Sequence, residues 1–151
     1  MSKKKPIFIM LKSSEGTLAV NADDIKRVVI NKSKMTADIH TSDHYASFNF
    51  GKDLEKSVSK LEDSISKRYN VVHISSEVSC QTCDDAYTAI LKVSKDGSDT
   101  YIWPSGLTSI KIQGDTIDVG THGIDDLISV KLNEPISLNS ATEVFKLLNC
   151  H

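Results

Sequence analysis

Aromatic side chains are scarce in this 151-residue chain, which has four Phe, four Tyr and a single Trp. Nucleic-acid surfaces combine clustered basic residues with exposed aromatics, whereas the lysines here are interleaved with carboxylates, so nucleic acid is not an expected partner. Long apolar runs are missing too. None approaches the ~20 residues of a membrane span. The apolar stretch behind the basic start, Ile7 to Leu11, is shorter than the roughly 7–15 residues of a secretory signal, so an intracellular, cytoplasmic protein is expected. No glycine-rich phosphate loop occurs, because Gly16-Thr17 and Gly51-Lys52 lack the upstream glycine, and no G-x-S-x-G elbow occurs.

What is present is globular. Hydrophobic residues make up 39% and charged residues 25%, which excludes disorder across the whole chain. The net charge of −2 is divided unevenly. Residues 1–70 carry 13 Lys and Arg against 9 Asp and Glu, and residues 71–151 carry 5 against 11. A basic half and an acidic half can attract each other within a chain or head to tail between copies.

The pattern begins with period two. Ile7 to Lys12 is apolar on both faces, as in a strand covered on each side. Ser13 to Gly16 reads as a turn, Thr17 to Asn21 as a second strand, and Ile25 to Ile30 as a third after Asp23-Asp24. Met35 to Thr41 and His44 to Phe50 complete five short strands at hairpin spacing, an antiparallel meander. From Asp53 to Tyr69 the period lengthens, and Leu54, Val58, Leu61 and Ile65 form a narrow helical stripe. Such a stripe suits either the chain's own sheet or a partner helix, and these four residues are the expected interface.

The order then recurs. Leu91-Lys92 falls against Leu11-Lys12, Pro104-Ser105-Gly106 against Ala22-Asp23-Asp24, and Leu107, Ile110 and Ile112 against Ile25, Val28 and Ile30. Ser75 to Asp85 is polar and is the expected boundary. After an inserted loop at Gly120 to Asp126, a final helix is signalled by Ser140 and Glu143 at capping-box spacing. The expected fold is therefore α+β, two similar antiparallel β-meander units each followed by a C-terminal helix, over residues 1–74 and 75–151.

Several groups carry potential chemistry. Cys80 and Cys83 form a C-x-x-C pair, and Cys150 with His151 would complete four zinc ligands, with His73 as another possible fourth ligand. Otherwise the thiols are reduced structural cysteines. His40 and His73 each sit in a hydrophobic-His-x-Ser segment, a pattern too short to assign phosphoester chemistry, so ordinary strand histidines are expected. Asp118, Asp125 and Asp126 flank the 120–126 loop without calcium-loop spacing. Tyr101 and Trp103, with His122 in that loop, would be the ligand contacts if the aromatic strand were exposed.

Residues 8 to about 67 resemble the FlbD-like family of small flagellar and phage-associated proteins. The resemblance lies in Phe8-Ile9-Met10-Leu11-Lys12, Gly16-Thr17, Val20-Asn21, Ile25, Val28 and the strand and helix after Thr41. It implies a non-enzymatic accessory protein, bacterial or phage-encoded, in the cytoplasm or a virion. The sequence thus predicts an interaction protein that self-associates or joins a larger assembly, with no cofactor and no membrane. A nucleotide-sequestering protein and a small zinc protein are the alternatives.

Overall fold

In a computed structural model, residues 8–13, 16–42, 44–84, 86, 88–123 and 126–148 are described. Among these residues the chain is mostly β with two α-helices, an α+β architecture. The first half supplies β1 (Phe8–Ser13), β2 (Gly16–Asn21), β3 (Ile25–Asn31), β4 (Thr36–Thr41) and β5 (Tyr45–Asn49), then α1 (Leu54–Ser66). After β6 (Asn70–Ile74) and β7 (Val78–Gln81) come β8 (Ala89–Lys95), β9 (Ser98–Ile102), β10 (Leu107–Gln113), β11 (Thr116–Thr121) and β12 (Ile128–Lys131). The last element is α2 (Leu138–Leu147).

Three sheets form. A seven-stranded sheet runs β5-β4-β3-β9-β8-β6-β7, while β1-β2 and β10-β11-β12 are separate sheets. Every pairing is antiparallel except β6 with β8. The large sheet therefore takes strands from both halves, joined where Val28 of β3 faces Tyr101 of β9. The polar segment expected as a linker contains β7, whose Val78 pairs with Ile74. The 74/75 boundary thus lies inside a hairpin.

Burial explains the β8–β9 hairpin at the centre. Ile90 and Tyr101 face one core with Ile9, Val28, Ile39 and Leu61. Leu91, Val93 and Ile102 face the other with Val72, Ile117 and Val144. A strand buried on both faces needs a near-continuous apolar run, and Ala-Ile-Leu-Lys-Val at 89–93 is one. Its exception, Lys92, reaches Glu62 of α1 at 2.9 Å, with its ammonium 5.4 Å from the Tyr101 ring centre.

Each helix covers one core. α1 buries Leu54, Ser57, Leu61 and Ile65, with Val58 partly buried beside them. α2 buries Val144. It begins earlier than the Ser140 signal suggests, because the hydroxyl oxygen of Ser137 accepts from the Ser140 N–H at 3.1 Å and takes the capping role.

Candidate functional site

Hairpin geometry decides which backbone groups face outward. Ser13 pairs with Gly16 next to the turn, so along the β1–β2 ladder the bonded pairs are Ser13 with Gly16 and Leu11 with Leu18. Thr17 and Ala19 lie between bonded pairs and direct their N–H and C=O away from β1. By the same alternation, Gln113 pairs with Thr116, and Ile110 and Ile112 direct theirs away from β11. Among the described residues, β1 is the only strand beside β2, and β11 the only strand beside β10. Among the described residues these two strands each therefore have an open edge.

Side chains distinguish one of these hairpins further. Alternation places Ile9, Leu11 and Val20 in the first core and turns Phe8 and Met10 to the opposite face. Phe8 is 58% exposed and Met10 51% exposed, beside exposed Ala19. A groove of about 460 Å³ runs along this edge, lined by Phe8, Ala19, Asn21, Thr41, His44 and Ala46 among others. A second groove, of about 590 Å³, opens between the turn at Lys32–Met35 and the start of α1. Its charges are mixed, with Lys32, Lys52, Glu55 and Asp99, and Lys32 already holds Asp99 at 3.2 Å.

The sequence-predicted residues are dispersed. Leu54, Leu61 and Ile65 are buried, so the α1 stripe meets the chain's own sheet. Tyr101 and Trp103 are each 1% exposed and are core residues, while His122 is exposed in the turn after β11. The two aromatic faces are thus closed to a stacking ligand. Cys80 is exposed on β7, and partial desolvation of its thiol, reinforced by Glu143, pushes its pKa up. Cys83 donates to the Lys67 carbonyl at 3.4 Å through Sγ and to Asn70 Oδ1 at 2.7 Å through its N–H. Cys150 and His151 lie outside the described residues, as do Tyr87 and Asp125. Among the described residues, no three His, Cys, Asp or Glu side chains come together as a metal site. Asp118 accepts from Ser129 at 2.6 Å.

Compared with protein-family models, curated proteins and solved structures, the chain matches none. The geometry therefore stands alone.

His40 and His73 are not brought together, since β3, β9 and β8 separate their strands in the sheet. His40 packs on Tyr45, ring centres 4.7 Å apart. His73 belongs to a polar chain that sequence reasoning missed. Its Nε2 lies 2.8 Å from Ser94 Oγ, and Ser94 donates to Asp99 Oδ1 at 2.7 Å, which leaves Nε2 as donor. Here the hydroxyl proton goes to the carboxylate and not to the imidazole, the reverse of an activated serine. Burial alone would raise the Asp99 pKa, but the bonds from Ser94 and Lys32 outweigh it and hold the group below its ordinary value.

This chain has a pH consequence. Burial, reinforced by Lys92, lowers the His73 pKa, and burial with Arg27 lowers that of His40. Above the ordinary histidine value of 6.5 both imidazoles are neutral in either state. Below it the unfolded chain takes up protons that the folded chain refuses, so stability falls with pH. Melting temperature is expected to decline between pH 6.5 and roughly pH 5. His73→Gln, which keeps a donor for Ser94, should flatten part of that decline. An unchanged pH profile would remove His73 from the account.

Arg27 was equally invisible in the sequence. It is 3% exposed, and its Nη1 donates to Thr121 Oγ1 at 3.0 Å and to the His122 carbonyl at 3.4 Å. Burial lowers its pKa despite Asp38 nearby. A guanidinium reaching from β3 to β11 ties the two halves together.

Proposed function

We propose that this protein is a non-enzymatic interaction protein, a self-associating subunit of a larger assembly, composed of two similar units. The carrying observation is the β1–β2 hairpin. Its outward face presents Phe8 and Met10 to solvent beside an open strand edge. Exposed apolar area next to unpaired backbone is the kind of surface that strand addition covers.

Recurring details support the two-unit reading. Each half runs hairpin, 3-10 turn, three-stranded meander, helix. A register shift falls between Ile25 and Arg27 against Thr41 and His40, and between Leu107 and Ser109 against Thr121 and Gly120. Asp38 accepts from Ser47 at 2.7 Å, and Asp118 from Ser129 at 2.6 Å. Phe50 N–H donates to Met35 O, and Leu132 N–H to Asp115 O. Aligned on their turns, Ile9 answers Leu91 and Leu11 answers Val93, two positions from the Leu-Lys match in the sequence. The FlbD-like resemblance of residues 8–67 points toward the same kind of accessory protein, working in a cytoplasm or a virion. No helix among the described residues is long and apolar enough to cross a membrane.

Light scattering across micromolar concentrations tests this. The expected mass is a multiple of 16.6 kDa. A monomer throughout, with no partner captured, would refute the proposal.

A further inference from the structure

Within one chain, the halves meet at β3 and β9. Val28 pairs with Tyr101 and Ile30 with Asp99, and the ends are closed by Trp103 N–H to Lys26 O at 3.0 Å and Lys32 N–H to Gly97 O at 3.2 Å. In the correspondence given above, β10 is the counterpart of β3, and β2 is the counterpart of β9. Among the described residues each of these two strands has an open edge. Each chain therefore carries, at its two ends, the two halves of a contact that it already makes once internally.

We infer that β10 of one copy pairs antiparallel with β2 of a second copy, in the register of β3 with β9. Ile110 then faces Ala19, Ile112 faces Thr17 and Lys111 faces Leu18. This deepens the self-association proposed above and rests on it. The backbone groups agree, since Thr17, Ala19, Ile110 and Ile112 are the residues whose N–H and C=O point away from their own hairpins.

Burial agrees as well. Val28 and Ile30 are 1% and 3% exposed, whereas their counterparts Ile110 and Ile112 are only partly buried. Ile90 is fully buried, whereas its counterpart Phe8 is 58% exposed. Ile90 lies in the core that α1 covers, so the equivalent cover for Phe8 and Met10 is α2 of the second copy. That α2 buries only Val144 in its own chain, and its Leu138 is 83% exposed. The sequence pattern of Ile7–Lys12 is that of a strand covered on both faces, and among the described residues only the Ile9 and Leu11 face is covered.

The groove supplies the space. In the second half, β3 lies along β9 and sends Arg27 to Thr121. The counterpart of Thr121 is Thr41, which lines the 460 Å³ groove beside β2. An incoming β10 would fill it. Charge favours the same union, for it brings the acidic half of one copy against the basic half of the next. The two contacts differ at one end. Gly106 lies against the Lys26 backbone, and Asp24 occupies the equivalent place, so the new ladder is confined to the strand and excludes the turn beyond Asn21. The contact is heterologous, so copies add head to tail.

Ala19→Pro and Ile112→Pro each remove one outward N–H, a change an edge strand accepts. Each variant should be monomeric by light scattering while keeping the far-ultraviolet circular dichroism and Trp103 emission of the wild type. Mixed, they should form a 1:1 dimer and nothing larger, because each retains the edge that the other has lost. If the wild type associates but either variant alone keeps the wild-type mass, the head-to-tail contact is wrong and self-association stands. If the wild type is monomeric, both fall. Should a variant not fold, Leu18→Cys and Lys111→Cys proteins, with Cys80, Cys83 and Cys150 replaced by Ser, take its place. Mixed under oxidation they should cross-link, since opposed residues between bonded pairs bring Cα atoms to about 4.5 Å. No cross-link would overturn the contact.

Discussion

Trp103→Ala is expected to lower the free energy of unfolding by about 3–5 kcal/mol, the range for removing a large aromatic from a core. Trp103 is 1% exposed and belongs to the second half by sequence, yet it packs in the first core with Ile25, Val28 and Leu61. Its N–H also donates to the Lys26 carbonyl at 3.0 Å, so the residue joins the halves by both packing and backbone. With a total stability of roughly 5–15 kcal/mol for a domain, losing it removes a large share. Urea unfolding followed by circular dichroism measures the change, since the variant lacks the only indole. Trp103→Phe fills more of the site and should destabilise less. A change below about 1 kcal/mol for Ala would contradict the packing described here.

The second large effect is expected at Gly106→Ala. A Cβ there would fall onto the Lys26 carbonyl oxygen and lie 2.7 Å from its carbon, and both are backbone atoms that cannot rotate aside. Relief requires parting the 104–106 turn from β3, beside the ladder that joins the two halves. A loss of about 1–3 kcal/mol or more follows for such overpacking. Gly120→Ala is the informative contrast, because the nearest atoms to a Cβ there are the hydroxyls of Ser109 and Thr108, which can turn away. Thermal unfolding of both variants should place Gly106→Ala well below Gly120→Ala. Equal melting temperatures would mean that the β3 approach is slack.

Local pattern was readable because it has local causes. The apolar run with Ile25, Val28 and Ile30 gave β3, the alternation of Ala37 and Ile39 gave β4, and the spacing of Leu54, Leu61 and Ile65 gave α1. Alternation reports which face is buried but not which strand lies alongside, so the β3–β9 pairing was not legible. Burial of Tyr101 and Trp103 was equally hidden, since an aromatic on a strand reads the same in a core or a binding face. β7 was masked by its polar composition, which suits an edge strand paired on one side. Arg27 gave no signal because a buried cation is recognised by its partners, Thr121 and His122, more than ninety positions away. Among the candidate site residues, Phe8 and Met10 were recognised as strand residues, and only the tertiary arrangement revealed them as outward.

Hydrogen exchange at the backbone amides of Thr17, Ala19, Ile110 and Ile112 tests the central claim most directly. If the open edges of β2 and β10 join between copies, these four amides become protected as protein concentration rises, as strand amides within the large sheet are at any concentration. If at the highest concentration they still exchange as fast as loop amides, the edges remain bare and this account of the protein is wrong.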